Sequence, residues 1–364
     1  MRNSFKLAII SLLSLISIQS FAGSYKITGT LKGAKDDVWL FLRIKDSDKI
    51  IDSVQIKNEK FALNGKINDS PVEAILHDKS YTNYIFLWLE NVPIILNGIN
   101  KNFHQASIKG GPILNEYSQL FKSIYAIEAE QEVWDKKLRA LNLKGKPDRN
   151  GIMGQIFKSR EKEKNAYIKH IETHPNSIVS ASILAAYATT YGKTESTRLY
   201  KLLSKAIQET RYGREILQTI TLNGEIVVGK KFIDFEQPTT TGELVKLSSI
   251  KAKYLLLEFW AAWCTPCRRE NPELINSYNE FKDKGFDILA VSLDSKKEDW
   301  LYAIAEDKLP WKNVSDLKGF QNSAALIYGV SAIPRNFLID ENGIVVAIGL
   351  RGEKLNNKLK ELLN

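Results

Sequence analysis

The stretch Tyr254-Leu255-Leu256-Leu257-Glu258-Phe259-Trp260-Ala261-Ala262-Trp263-Cys264-Thr265-Pro266-Cys267 decides how this chain is read. Its first seven residues form a near-continuous apolar run, the pattern of a strand covered on both faces. Its last four hold both cysteines of the 364-residue sequence. Pro266 fits the first turn of a helix, where its missing N–H costs no hydrogen bond. The spacing therefore predicts a buried strand that meets a helix start at Cys264. The unpaired N–H groups and the dipole of that helix end favour an anion, so they stabilise a thiolate at Cys264. Cys264 is expected to be the exposed attacking sulfur, and Cys267, one turn into the helix, the shielded thiol that resolves a mixed disulfide. Thr265 and Pro266 tune the redox potential.

Two other uses of a C-x-x-C fit less well. Half a zinc site needs two further ligands, but no third cysteine exists, and His77, His104, His170 and His174 all precede the α/β region. His170 and His174 have metal-compatible helical spacing, yet no third ligand accompanies them. A structural bridge closing so short a loop gains little chain entropy. Redox chemistry is the reading that uses both cysteines, with no metal and no cofactor expected.

Outward from this stretch, residues 225–364 alternate strand and helix, which argues for an α/β layer fold. Phe286–Leu293 reads as a second buried strand. Helices are expected over 296–307, 321–328 and 354–363. Asn336–Asp340 and Ile344–Ile348 flank Glu341-Asn342-Gly343, a hairpin signal.

The segment Glu258–Cys267 resembles the active-site segment of the thioredoxin superfamily. Ser331-Ala332-Ile333-Pro334-Arg335, about 70 residues on, resembles that superfamily's cis-proline loop. Residues 229–364 are similar to the exported thiol–disulfide oxidoreductases of the TlpA and ResA type. The resemblance implies a thioredoxin fold and several roles. Glu258, six residues before Cys264, takes the place of the buried acid that exchanges a proton with Cys267. Glu270, six residues after Cys264, falls where ResA-type proteins carry a glutamate near the active site; a solvated first-turn glutamate favoured by the helix dipole is the alternative. Pro334 is expected to be cis, presenting the backbone of Ile333 to a substrate strand, with Trp260 and Trp263 shaping an apolar rim. One departure is visible: Leu289-Ala290-Val291-Ser292 lacks the lysine that some thioredoxins place near the acid.

Upstream, residues 23–112 carry short strand-like runs bounded by turn residues: Tyr25–Gly29, Val38–Leu42, Ile51–Ile56, Lys60–Gly65, Val72–His77, Tyr84–Leu89 and Pro93–Leu96. This spacing predicts a small antiparallel sandwich or barrel. Ile27-Thr28-Gly29, Asp52-Ser53-Val54 and Phe61–Gly65 are similar to an all-β domain of unassigned function found ahead of exported thioredoxin-like proteins of Bacteroidetes type. Residues 113–224 switch to a period of three and four, with Ile113, Leu114, Tyr117, Leu120, Phe121, Ile124 and Tyr125 on one stripe. Helices follow from about Ile152 to Glu172, over Ile178–Thr189 and Thr194–Gln208, with a shorter one near Leu222; Gly145–Gly151 is a break.

Residues 1–22 have a basic start, an apolar run of about a dozen residues from Leu7 to Ile18, and small residues Ser20 and Ala22 before a cut. That is a secretory signal cleaved after Ala22, too short to span a bilayer. The net charge of +9, or +7 without Arg2 and Lys6, is spread thinly over the chain. The densest run, Lys158–Lys164, mixes signs, so nucleic acid is not an expected partner.

The combined expectation is a multidomain protein: an N-terminal all-β domain, a central helical region, and a C-terminal α/β thioredoxin fold. Its function is read as a periplasmic thiol–disulfide oxidoreductase that reduces protein disulfides and is recharged by a membrane thiol donor. Two alternatives are a thiol peroxidase and a partner-binding module with an accessory redox domain. The peroxidase pattern wants a threonine three residues before the reactive cysteine, where this chain has Ala261.

Overall fold

A computed structural model describes residues 24–363, apart from 46, 48, 69 and 143–148. The expected secretory segment, residues 1–22 with its cut after Ala22, lies outside the described residues, as does most of the expected break at 145–151. The chain divides into two compact units, the first ending at Glu163 and the second beginning at Lys164.

In the first unit, eight strands form two four-stranded sheets: β1 (Tyr25–Lys32), β2 (Trp39–Ile44), β3 (Ile50–Gln55), β4 (Lys60–Gly65), β5 (Val72–Asp78), β6 (Tyr84–Leu89), β7 (Pro93–Ile99) and β8 (Ser107–Lys109). One sheet runs β4-β1-β7-β8 and the other β3-β2-β5-β6. Alternation puts Ile27, Leu40, Leu42, Leu63, Leu87 and Ile94 in the core. The sheets depart from the antiparallel expectation at one ladder, since β1 and β7 pair in parallel from Lys26↔Pro93 to Lys32↔Ile99. Hairpins enforce antiparallel pairing only between neighbours in sequence. The long excursion through β2–β6 frees β7 to return in the same direction as β1. Helix α1 (Pro112–Asn142) starts where the Glu90 carboxylate accepts from the Leu114 N–H at 3.0 Å, an acid at the positive end of a helix. It buries Leu114, Tyr117 and Ile124 of the expected stripe.

Helix α2 (Arg149–Thr173) crosses the division between the units. The second unit then holds α3 (Ile178–Leu202), α4 (Lys205–Gln208) and α5 (Arg211–Leu222). Ser177 caps α3 by accepting from the Val179 and Ser180 N–H groups. Gly192 breaks α3 internally at φ 79°, ψ 168°, a left-side backbone that glycine adopts without penalty. The break falls between the two helices that the sequence suggests there.

The α/β part comprises β9 (Glu236–Pro238), β10 (Leu244–Lys246), β11 (Tyr254–Trp260), α6 (Thr265–Phe281), β12 (Phe286–Ser292), α7 (Lys297–Asp307), β13 (Lys312–Val314), α8 (Ser323–Ile327), β14 (Arg335–Asp340), β15 (Val345–Ile348) and α9 (Glu353–Leu363). Five strands make the main sheet in the order β13-β12-β11-β14-β15. β11, β12 and β13 run parallel, while β14 opposes β11 and turns back into β15. The central place of β11 explains its composition. Leu256, Leu257 and Phe259 are fully buried, and each such side chain is worth about 1.5–3 kcal/mol of burial. The α/β part is not isolated from the helices before it. The Gly224 N–H, just after α5, donates to the Ile327 carbonyl of α8 at 2.9 Å. Among the described residues no helix is long and apolar enough to cross a membrane.

Candidate functional site

Strand β11 delivers the chain to the start of α6, as its apolar run implies. Cys264 is the N-cap residue, and its Sγ accepts from the Cys267 N–H at 3.2 Å. The two cysteines form a disulfide, with Cα atoms 5.2 Å apart. The expected contrast in exposure is not present in this oxidised pair: Cys264 is 4 % exposed and Cys267 2 %. The bond and the accepted N–H turn the Cys264 sulfur back over the helix end. Position at the cap, rather than exposure, is what distinguishes the two.

The loop before Cys264 is held by residues that the sequence did not single out. Asp294 is buried, and its carboxylate oxygens accept from the Ala262 N–H at 3.1 and 3.0 Å and from Ser292 Oγ at 2.7 Å. Burial pushes the Asp294 carboxyl above its ordinary range, and the Ser292 and Ala262 hydrogen bonds pull it part of the way back. On the other side of the loop, Arg268 of α6 pairs with Asp307 and with Glu306 at 2.6 Å. Asn271 also donates to Asp307, at 2.6 Å. These contacts clamp α6 to the end of α7.

Two tryptophans expected on one rim separate. Trp263 is 57 % exposed and lies 6.0 Å, ring to ring, from the half-exposed Phe320. Trp260 is 2 % exposed and donates from Nε1 to Asn313 Oδ1 at 3.1 Å. As the last residue of a strand covered on both faces, Trp260 belongs to the core, not the rim.

Glu258 is 7 % exposed. Together with Cys267, Glu270, Glu273, Asn336 and Arg351 it lines a small cavity that Cys264 does not border. The volume open to the centre of a water molecule is about 20 Å³, enough for one. Glu258 Oε2 is buried there without a hydrogen-bond partner. Burial pushes the carboxyl up to about 8; a hydrogen bond from Asn336 opposes this, the Glu270 charge adds to it, and Arg351 opposes it. A carboxyl in that state is mostly protonated at neutral pH and exchanges its proton just above it.

Glu270 falls in the second turn of α6, not the first, and its side chain is about one-third exposed. Burial raises its carboxyl, Arg351 lowers it, and Glu273 raises it. The Arg351 guanidinium stands 3.5 Å from Glu270 and also donates to the Pro334 carbonyl. The Ile333–Pro334 peptide bond is cis. Arg351 and Asn336 carry no signal in a single sequence, because their partners lie far away along the chain. Among the described residues no group of three or more His, Cys, Asp or Glu is placed to hold a metal ion.

Comparison with known proteins agrees with this geometry. Residues 228–348 match the AhpC/TSA family, and residues 25–117 match a domain of unknown function (DUF4369). The thiol–disulfide oxidoreductase ResA of Bacillus cereus (strain ATCC 10987 / NRS 248) is 30 % identical over 145 residues, 37 % of this chain and 76 % of that protein. The chain belongs to the thiol–disulfide oxidoreductase family. ResA of Oceanobacillus iheyensis is 32 % identical over 141 residues, covering 38 % of this chain and 71 % of the relative. Among solved structures, a thiol–disulfide oxidoreductase from Bacteroides fragilis is 38 % identical, covers 37 % of this chain and 100 % of its own, and gives a TM-score of 0.35. In this oxidoreductase the family match and the strand and helix order make the C-terminal part a thioredoxin-like α/β domain carrying its C-x-x-C pair at 264 and 267.

Proposed function

We propose that the protein is an exported, periplasmic reductant of protein disulfides, with its redox domain over 225–364 and its β domain and helices over 23–112 and 113–224 as accessory regions. The observation that carries the reading is the placement of Cys264 at the cap of α6 while Cys267 shares a cavity with the proton-holding Glu258, whose Oε2 has no hydrogen-bond partner.

In the reduced protein, the helix end stabilises the Cys264 thiolate. The thiolate attacks one sulfur of a substrate disulfide, forming a mixed disulfide and releasing the other substrate sulfur as a thiolate. Cys267 then attacks Cys264 Sγ. Its proton passes to the Glu258 carboxylate, directly or through one water in the cavity, and the second substrate thiolate leaves. Two electrons move to the substrate and the Cys264–Cys267 disulfide forms. In the return direction a thiol donor at the membrane, of the kind such a cycle needs, attacks the disulfide, and protonated Glu258 gives its proton to the departing Cys267 sulfur. Trp263 and the Ile333 backbone beside cis-Pro334 form the substrate edge, with Glu270 at the cavity mouth. A thiol peroxidase reading is disfavoured by the buried Ala261 where that chemistry wants a hydroxyl.

The test is reduction of insulin by the pre-reduced protein, with peroxide consumption assayed in parallel. Rapid insulin reduction lost in Cys264→Ser supports the reading. Peroxide turnover without insulin reduction would replace it.

A further inference from the structure

The cavity beside Cys267 has four charged lining residues, three of them acids: Glu258 from β11 and Glu270 and Glu273 from α6. The fourth is Arg351, the one cation among them. It is not a loose surface arginine. Its guanidinium donates to the Pro334 carbonyl and stands 3.5 Å from Glu270. The segment that presents it is strapped down by Asn336. The Asn336 side chain donates to the Leu350 carbonyl at 2.7 Å and accepts from the Leu350 N–H at 2.9 Å, while its own carbonyl accepts from the Gly349 N–H at 2.9 Å. Gly349 and Gly352 on either side adopt φ 72° and 53°, and a side-chain carbon at Gly352 would lie 2.7 Å from a Glu273 oxygen. The turn is thus built to bring residue 351 back over the cavity. Asn336 is also the cross-strand partner of Glu258, and its amide lowers the proton affinity of that carboxyl. One amide therefore borders the acid and fixes the loop that carries the cation.

We propose that Arg351 is a positioning residue that joins the cis-proline loop to the proton site, holding the Pro334 carbonyl with one arm of its guanidinium and supplying with its charge the cation against which Glu258 and Glu270 titrate. This deepens the reductase reading and rests on it for its kinetic half. Arginine suits the place because its planar fork reaches two acceptors at once; lysine brings the charge without the fork. Fixing the Pro334 carbonyl fixes the orientation of the adjoining Ile333 edge, so substrate binding depends on the fork. The proton affinity of Glu258 depends on the charge.

Two variants separate these effects. Arg351→Met keeps much of the side chain's bulk over the cavity and removes both charge and fork. Arg351→Lys keeps the charge alone. The Glu258 titration is followed by carbon-13 NMR of labelled carboxyl groups in the oxidised protein, where no activity is needed. The pH profile and KM for a disulfide peptide are measured in parallel. In Arg351→Met the Glu258 midpoint should move to higher pH, because a cation favouring the carboxylate is gone. The rate at pH 7 should fall a few-fold, the modest size expected of a partly exposed charge, and KM should rise. In Arg351→Lys the midpoint should return to the wild-type value while KM stays raised. A Glu258 midpoint in Arg351→Met equal to wild type would overturn the electrostatic half, and an unchanged KM in Arg351→Lys would overturn the positioning half. If Arg351→Met does not fold, the split in Arg351→Lys between an unmoved midpoint and a raised KM decides the matter. A wild-type protein that reduces no disulfide would sink the reductase reading instead, while the titration still tests the role of the charge.

Discussion

Glu258 shares a cavity with Cys267 and not with Cys264. The acid sits where the inner sulfur can use it, and its free Oε2 points to a transferable proton rather than a structural ion pair. Replacing it by Gln keeps the shape and the Asn336 contact but removes the exchangeable proton. Glu258→Gln should fold normally and slow insulin reduction near neutral pH by roughly tenfold, the low end for a general base. Stopped-flow reduction with matched melting curves checks this. Equal rates from pH 6 to 9 would make Glu258 a structural residue.

The same residue sets a pH dependence. Resolution of the mixed disulfide needs the Glu258 carboxylate, and its carboxyl is held up near 8 by burial. The resolving rate should therefore climb as pH rises through about 8, and Glu258→Gln should flatten that limb. Single-turnover kinetics on a preformed mixed disulfide isolates the step.

Stability should respond in the opposite sense. The folded carboxyl holds its proton to about 8, whereas the unfolded one releases it near 4.5. Between those values the folded state binds the extra proton, so stability falls as pH rises through the window and levels off above it. Glu258→Gln should remove that slope and melt above the wild type at pH 9. Calorimetry of the oxidised forms from pH 5 to 9 reads both; parallel slopes in the two proteins would contradict the buried, protonated state.

Asp294 anchors the loop ahead of Cys264 through the Ala262 N–H. Asp294→Ala leaves that partly buried donor and the buried Ser292 hydroxyl without their acceptor. A loss of about 1–3 kcal/mol is expected for stranding a buried partner. The reduction potential should shift as well, since the cap position of Cys264 is no longer fixed. Denaturant unfolding and glutathione equilibration measure the two effects.

Trp263 and Phe320 form the exposed aromatic pair beside the site. Trp263→Ala and Phe320→Ala should each raise KM for a cysteine peptide with apolar neighbours and leave the melting temperature within a few degrees. The double variant should lose less than the sum, as expected of side chains acting as one surface. Additive losses would mean that the two contact substrate independently.

The sequence carried the centre of this site because local signals coincide there. A short, near-continuous apolar run before a helix start fits a covered strand, a lone acid within it has to be accommodated, and a C-x-x-C with Pro266 marks that helix start. What it did not carry is what depends on distant pairing. Arg351 meets Glu270 and Pro334 only after β14 and β15 have folded back, and Asp294 meets Ala262 only across neighbouring parallel strands. Trp260 and Trp263 looked alike in sequence, yet the end of β11 lies between them and puts one in the core and the other in solvent. The parallel pairing of β1 with β7 has no local signature, and the three-residue strands β8, β9, β10 and β13 are too short to show a period. The gap between the expected helices Ile178–Thr189 and Thr194–Gln208, by contrast, falls where Gly192 breaks the helix in the fold.

The division of labour between the two sulfurs is tested most directly by trapping. Reduced Cys267→Ser and Cys264→Ser proteins are mixed with a disulfide-bonded peptide at pH 7 and followed by intact-mass spectrometry. Cys267→Ser should accumulate a stable mixed disulfide with the peptide on Cys264, and Cys264→Ser should form almost none. Faster adduct formation through Cys267 would reverse the roles, and no adduct in either variant would contradict disulfide reduction at this site.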